Sequence, residues 1–140
     1  MKNTRIEHRI NVILNDRVDV WAEQFLIDRK AQGLAPGTLL FYQDKLNKLL
    51  HYFESVAVYN LGQIDASVIR QFLLYLQSEK HTPGGIHAYY RVLKTFLFWW
   101  EAEVEPEGWK NPIRKVKAPR LKIEPLNPVE IYCPGNAEGL

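Results

Sequence analysis

The residues of this chain best equipped for chemistry are cations, and they come in three sets. The densest lies between Lys110 and Lys122, where Lys110, Arg114, Lys115, Lys117, Arg120 and Lys122 fall within thirteen residues that contain no acid. Pro112 and Pro119 bar that stretch from continuing a preceding helix, and its charge keeps it out of a core. The second set is His87, Arg91 and Lys94, spaced i, i+4, i+7 and therefore on one side of a helix. The third is Lys45 and Lys48, which share a helix face with Thr38 and Phe41 by the same rule. Cations in such rows neutralise the phosphates of a polyanion. Each contact releases condensed counterions, so binding weakens steeply with salt. Lysines act as point charges on a phosphate backbone, whereas Arg91 has the planar fork suited to bidentate reading of guanine. The amides that open the helix at Gly37 to Leu39 are a further phosphate receptor. The candidate DNA contacts are thus Thr38, Lys45, Lys48, His87, Arg91, Lys94, Arg114, Lys115, Lys117 and Arg120. The competing reading of the two helix faces is the ordinary solvated side of an amphipathic helix.

Other chemistries find less support. His8, His51, His81 and His87 lack metal-ligand spacing, and Cys133 lies far from them in sequence, so neither a metal nor a cofactor is expected. Glu101, Glu103, Glu105 and Glu107 alternate around a helix end, a pattern usual for solvated acids rather than for general acid–base catalysis. Gly84-Gly85 has no Lys-Ser/Thr partner and is not a phosphate loop. None of the tyrosines sits in a nucleophile motif. The reading is a non-enzymatic chain.

The elements that must carry these residues are helical. The chain has 140 residues, 46% hydrophobic and 24% charged, enough for one domain with a core. Its formal net charge of +2 hides two opposed fields, four glutamates followed by the basic stretch. A single cysteine excludes an internal disulfide, no apolar run reaches bilayer length, and the N-terminus lacks a secretory h-region. The expected location is cytoplasmic.

Asp16 is a plausible N-cap for a first helix reaching about Gln32, with Trp21, Ala22, Phe25 and Leu26 inward and Gly33 as its C′ residue. Pro36-Gly37-Thr38 opens a second, with Leu39, Tyr42, Leu46, Leu49, Leu50 and Phe53 on one stripe, ending near Ser55. A connector follows to Gly62, with a short extended piece at Val56-Ala57-Val58. Asp65 caps a third helix facing Val68, Ile69, Phe72, Tyr75 and Leu76 inward. Thr82 and Pro83 restart the chain into a fourth, reaching about Ala102, whose core side is Ile86, Tyr89, Tyr90, Leu93, Phe96, Leu97 and Trp100. Phe98 and Trp99 point off that stripe, toward the connector, a neighbouring protein surface or another domain. Trp109 reads as a plug that pins the basic stretch. Four amphipathic helices with short loops make an all-α fold, a compact bundle with an extended C-terminal tail.

In order and spacing these segments resemble the core-binding domain of the tyrosine recombinases, or phage integrases. Gly33-Leu34-Ala35-Pro36-Gly37-Thr38-Leu39 with Tyr42 and Leu46 is similar to that family's opening phrase. Ile64 to Leu73 looks like its third helix, and Thr82-Pro83-Gly84-Gly85-Ile86 with Leu93, Phe96, Trp99 and Trp100 like its fourth. Asn111-Pro112-Ile113 and Lys117-Ala118-Pro119-Arg120 match its exit, and Pro125-Leu126 the start of its catalytic domain. The resemblance spans about Asp16 to Leu126 and implies a SAM-like integrase N-terminal bundle forming half of a clamp on duplex DNA. The second and fourth helices would face the major groove of a recombination half-site, which implies DNA contacts for Thr38, Lys45, Lys48, His87, Arg91 and Lys94.

On this basis residues 1–15 are an N-terminal arm and 16–107 the helical DNA-binding domain. Residues 108–126 are a basic linker, and 127–140 the truncated start of a missing catalytic domain. The family's strand cleavage and rejoining would belong to that missing domain. The expected partners are double-stranded DNA and the catalytic domain. The full-length protein would assemble as a tetramer on DNA, and the isolated domain would be a monomer with no membrane association. The alternative function is a helical protein–protein interaction module, using Phe98, Trp99 and exposed residues of the first helix as an apolar patch.

Overall fold

The computed structural model describes residues 16–121; the proposed arm at 1–15, Lys122 and the segment 123–140 lie outside the described residues. Four helices form the body: α1 (Val18–Ala31), α2 (Pro36–Ser55), α3 (Ala66–Ser78) and α4 (Pro83–Val104). Short 3-10 turns occur at Leu61–Gln63 and Pro112–Lys115. The described residues form no strand, only an isolated bridge between Arg17 and Asn60.

The helix ends follow local chemistry. The Asp65 carboxylate accepts from the Val68 amide at 2.8 Å, and the Thr82 hydroxyl accepts from the Gly85 amide at 3.0 Å. Gly33, with φ at +82°, takes the left-handed position that stops α1. The end of α3 uses the same device without glycine. Lys80 has φ at +65°, its amide donates to the Gln77 carbonyl, and the His81 amide donates to the Leu76 carbonyl. That is a Schellman closure on a residue with a Cβ.

The start of α1 corrects the sequence reading by one residue. Arg17, not Asp16, is the N-cap, and it makes no side-chain cap bond. Asp16 is drawn into a longer-range task. Its carboxylate accepts from the Gly62 amide and its carbonyl from the Leu61 amide, stitching the chain start to the connector. The connector also differs from the expected extended piece at 56–58. Ala57 turns with φ at +61°, which drops Val58 and Leu61 into the core. A three-residue pattern could not distinguish a strand from a turn that buries Val58 and leaves Val56 exposed.

The core is aromatic and centred on α4, which packs against α1, α2 and α3. Phe25, Phe53, Phe72 and Phe96 are fully buried, joined by Leu46, Leu49, Leu61, Ile69, Leu76, Leu93 and Leu97. Phe25 meets Phe96 edge-to-face at 5.6 Å, and Phe72 meets Tyr89 likewise at 5.9 Å. The seven inward residues read from α4's periodicity are all buried.

The basic stretch after α4 is not a free strap along its described length. Asn111, Pro112, Ile113 and Val116 are buried, and Trp109 meets Trp100 edge-on at 4.8 Å. The Asn111 side chain accepts from the Ile113 amide and donates to Glu101. Further on, Tyr90 donates its hydroxyl hydrogen to the Val116 carbonyl at 3.2 Å, and Arg70 of α3 donates to the Lys115 carbonyl at 3.0 Å. The segment thus runs back antiparallel to α4, with its apolar residues as anchors and its cations outward.

Candidate nucleic-acid interface

The outer side of α4 lies between two flanks. On one is α2; on the other is the returning basic segment. Along α4 the outward residues are His87, Arg91, Lys94, Phe98 and Glu101, a helical stripe opposite the buried one. Arg91 and Lys94 are exposed and have no partner among the described residues. His87 is half-buried, its ring 6.1 Å from that of Tyr90.

On α2 the three candidates have different surroundings. Thr38 is exposed in the first turn, beside a helix start that no side chain caps. Lys45 reaches across to α4, its Nζ 4.4 Å from the centroid of Tyr89 and 5.3 Å from that of Phe41. Burial pushes the Tyr89 phenol above its ordinary range, so beneath Lys45 it is a neutral ring. Cation–π contact holds the ammonium while leaving its remaining donors available.

Lys48 faces elsewhere. Its Nζ donates to Glu79 at 2.6 Å and to Tyr75 Oη at 3.4 Å. Tyr75 in turn donates to the other oxygen of Glu79 at 2.7 Å. The hydrogen bond from Lys48 holds the Glu79 carboxyl below its usual range, and the same bond holds Lys48 above its own. A lysine already paired with a carboxylate has less positive charge to offer an incoming phosphate than Lys45.

The basic segment divides in the same way. Arg114 donates to Glu101 at 3.0 Å and lies over the Phe98 ring at 4.7 Å. Glu101, expected to be a solvated acid, therefore anchors both Asn111 and Arg114. Lys115, Lys117 and Arg120 are exposed, with no side-chain partner among the described residues.

Two grooves result. The first, of about 670 Å³, lies where α1, α2 and α4 meet and is lined by Phe41, Tyr42, Arg91, Lys94, Phe98 and Trp99, among others. Sequence reasoning had named its cations but not its floor. The off-stripe position of Phe98 and Trp99 was the available signal, and Trp99 proves half-buried against Trp21 and Phe25. Arg29 of α1 also reaches this groove, already paired with Asp28 and seated over Phe25, which no spacing argument indicated. The second groove, of about 500 Å³, lies between α3 and the basic segment. Its floor is aliphatic, with Leu73, Leu74, Ile86 and Pro119, and its rim includes Arg70, Lys115 and Lys117.

The geometry of the described residues offers charge and surface. Among the described residues no group of three His, Cys, Asp or Glu side chains is arranged to hold a metal ion. No helix among them is long and apolar enough to cross a membrane. The family model described as the phage integrase SAM-like domain matches residues 19–98, which span α1 to most of α4. Comparison with curated proteins and with solved structures returns no match.

Proposed function

The chain belongs to the phage integrase SAM-like domain family, and from that premise we propose that it grips duplex DNA at a recombination half-site through the face shared by α2, α4 and the basic segment. The observation that carries this reading is the meeting of the two cationic helix faces. Lys45 of α2 rests on Tyr89 of α4, and Phe41 of α2 lines the same groove as Arg91 and Lys94. Ridges on opposite sides of the bundle would not serve one duplex.

In this reading Lys45, Arg91 and Lys94 contact phosphates or base edges, with Thr38 and His87 beside them. Lys115, Lys117 and Arg120 extend the charge along the segment packed on α4. Lys48 and Arg114 are secondary contacts, because each must first leave a carboxylate. Phosphate contacts set position, and Arg91 supplies the direct base reading. The role of these residues is grip. Strand cleavage and rejoining is assigned to the catalytic domain of a full tyrosine recombinase, with which this chain would assemble as a tetramer on DNA. Alone it would be a monomer.

The test is duplex binding by fluorescence anisotropy as salt rises. About four phosphate contacts predict a log–log slope of roughly −3.6, so doubling the salt weakens binding about twelvefold. Arg91→Ala with Lys94→Ala removes the base contact and one phosphate contact, which should bring the slope to roughly −2.7 and the loss to about sixfold. A protein-interaction module using Phe98 and Trp99 would be nearly indifferent to salt. An unchanged slope in a folded double variant would remove α4 from the interface.

A further inference from the structure

The two grooves beside α4 both carry cations at the rim, but their floors differ in kind. Between α3 and the basic segment the floor is aliphatic, with Leu74 60% exposed at its edge. Between α1, α2 and α4 it is aromatic, built from Phe41, Tyr42, Phe98 and Trp99 beneath Arg91 and Lys94. Binding a duplex by its phosphates requires the rim cations and leaves such a floor unexplained. Phosphate contact alone does not need rings 37% exposed, like Phe41, in a recess.

We infer that this aromatic groove accepts unpaired bases of single-stranded DNA, stacked on its rings with the adjoining phosphates held by Arg91 and Lys94. The inference rests on the nucleic-acid reading of this face and adds a second ligand form to it. Aromatic platforms flanked by cations bind single strands without much sequence preference, because every base has a π-face. The groove is open to solvent and, at about 670 Å³, roomy enough to receive a planar base at its surface. Lys45 and Arg114 each cover one face of Phe41 and Phe98, so positive charge stands at the margins of the groove and a base stacks only on the ring surface they leave open. An acidic peptide is the other occupant such charge would attract. Its aliphatic side chains suit the α3 groove better than this one.

The experiment compares a labelled oligothymidylate, a labelled duplex and a labelled polyglutamate peptide, each bound to the full chain. Tyr42→Leu removes one ring of the floor while keeping its apolar bulk. Ala102→Leu, at an exposed position on the groove wall, crowds the recess with an aliphatic side chain that offers no ring to stack on. Both variants are checked for wild-type helicity and thermal melting. The expected result is oligothymidylate binding that either variant weakens about tenfold, with duplex binding changed less than twofold. Leu74→Ala in the aliphatic groove leaves both unchanged. Duplex binding without single-strand binding, or equal losses for both ligands, overturns the inference and leaves the duplex reading standing. Single-strand binding without duplex binding overturns the duplex reading alone. Binding to neither overturns both. Polyglutamate that competes as well as oligothymidylate assigns the groove to acidic peptides and overturns the inference.

Discussion

Replacing Ile113 with alanine tests whether the basic segment is part of the bundle or a tether that hangs from it. Ile113 is 2% exposed, in the first turn after Pro112, with its amide held by Asn111. Its side chain belongs to the same core cluster as Trp100 and Val104 of α4. Removing buried methyl groups from such a site costs the transfer term plus the cavity left behind, about 3 kcal/mol for a fully buried isoleucine. For a domain of this size that lowers the melting temperature by roughly 15 °C. Urea denaturation followed by circular dichroism measures it, with exposed Lys115→Ala as a control expected within about 0.5 kcal/mol. The functional consequence follows from position. Lys115 and Lys117 flank Val116, so loosening the anchor should also lower the affinity for duplex DNA while the positive charge stays the same. A loss below about 0.5 kcal/mol for Ile113→Ala would mean the segment is not seated, and that flank of the proposed interface would go with it.

Two further outcomes follow from local geometry. Lys80 closes α3 in a left-handed conformation that disfavours any side chain, so Lys80→Gly should raise stability by about 1 kcal/mol, read as a higher urea midpoint. The Lys48 hydrogen bond holds Glu79 below its usual range, so its contribution to stability is present above the unfolded glutamate value of about 4.3 and lost as pH falls through the lower folded value. Glu79→Gln should therefore flatten the acid limb of the stability–pH curve. It should also free Lys48, making the salt dependence of duplex binding steeper; an unchanged slope would show that Lys48 never reaches phosphate.

The helices themselves were legible because their signals are local. Pro36, Asp65, Thr82-Pro83 and Gly33 act within one turn, and the stripes from Trp21 to Phe25 and from Ile86 to Trp100 repeat at the helical period. The cationic faces were legible for the same reason, since His87, Arg91 and Lys94 are neighbours on one helix whatever lies beyond it. Where local signals were short, at Asp16 and at Val56 to Val58, longer-range bonds to the connector and burial in the core decided instead.

Only the tertiary structure could decide which cations are available. Lys45 and Lys48 look alike in sequence, yet one rests on rings and the other is held by a carboxylate 31 residues away. The basic segment looked like a tether because its cations dominate its composition, while its few apolar residues find the core through Tyr90 and Arg70, 26 and 45 residues distant. The amino-acid pattern determined the helices and which sides of them carry charge, because backbone geometry projects side chains at a known period. The partners of those charges, and the aromatic floor between them, arise from packing one helix on another, a relation that no single helix contains.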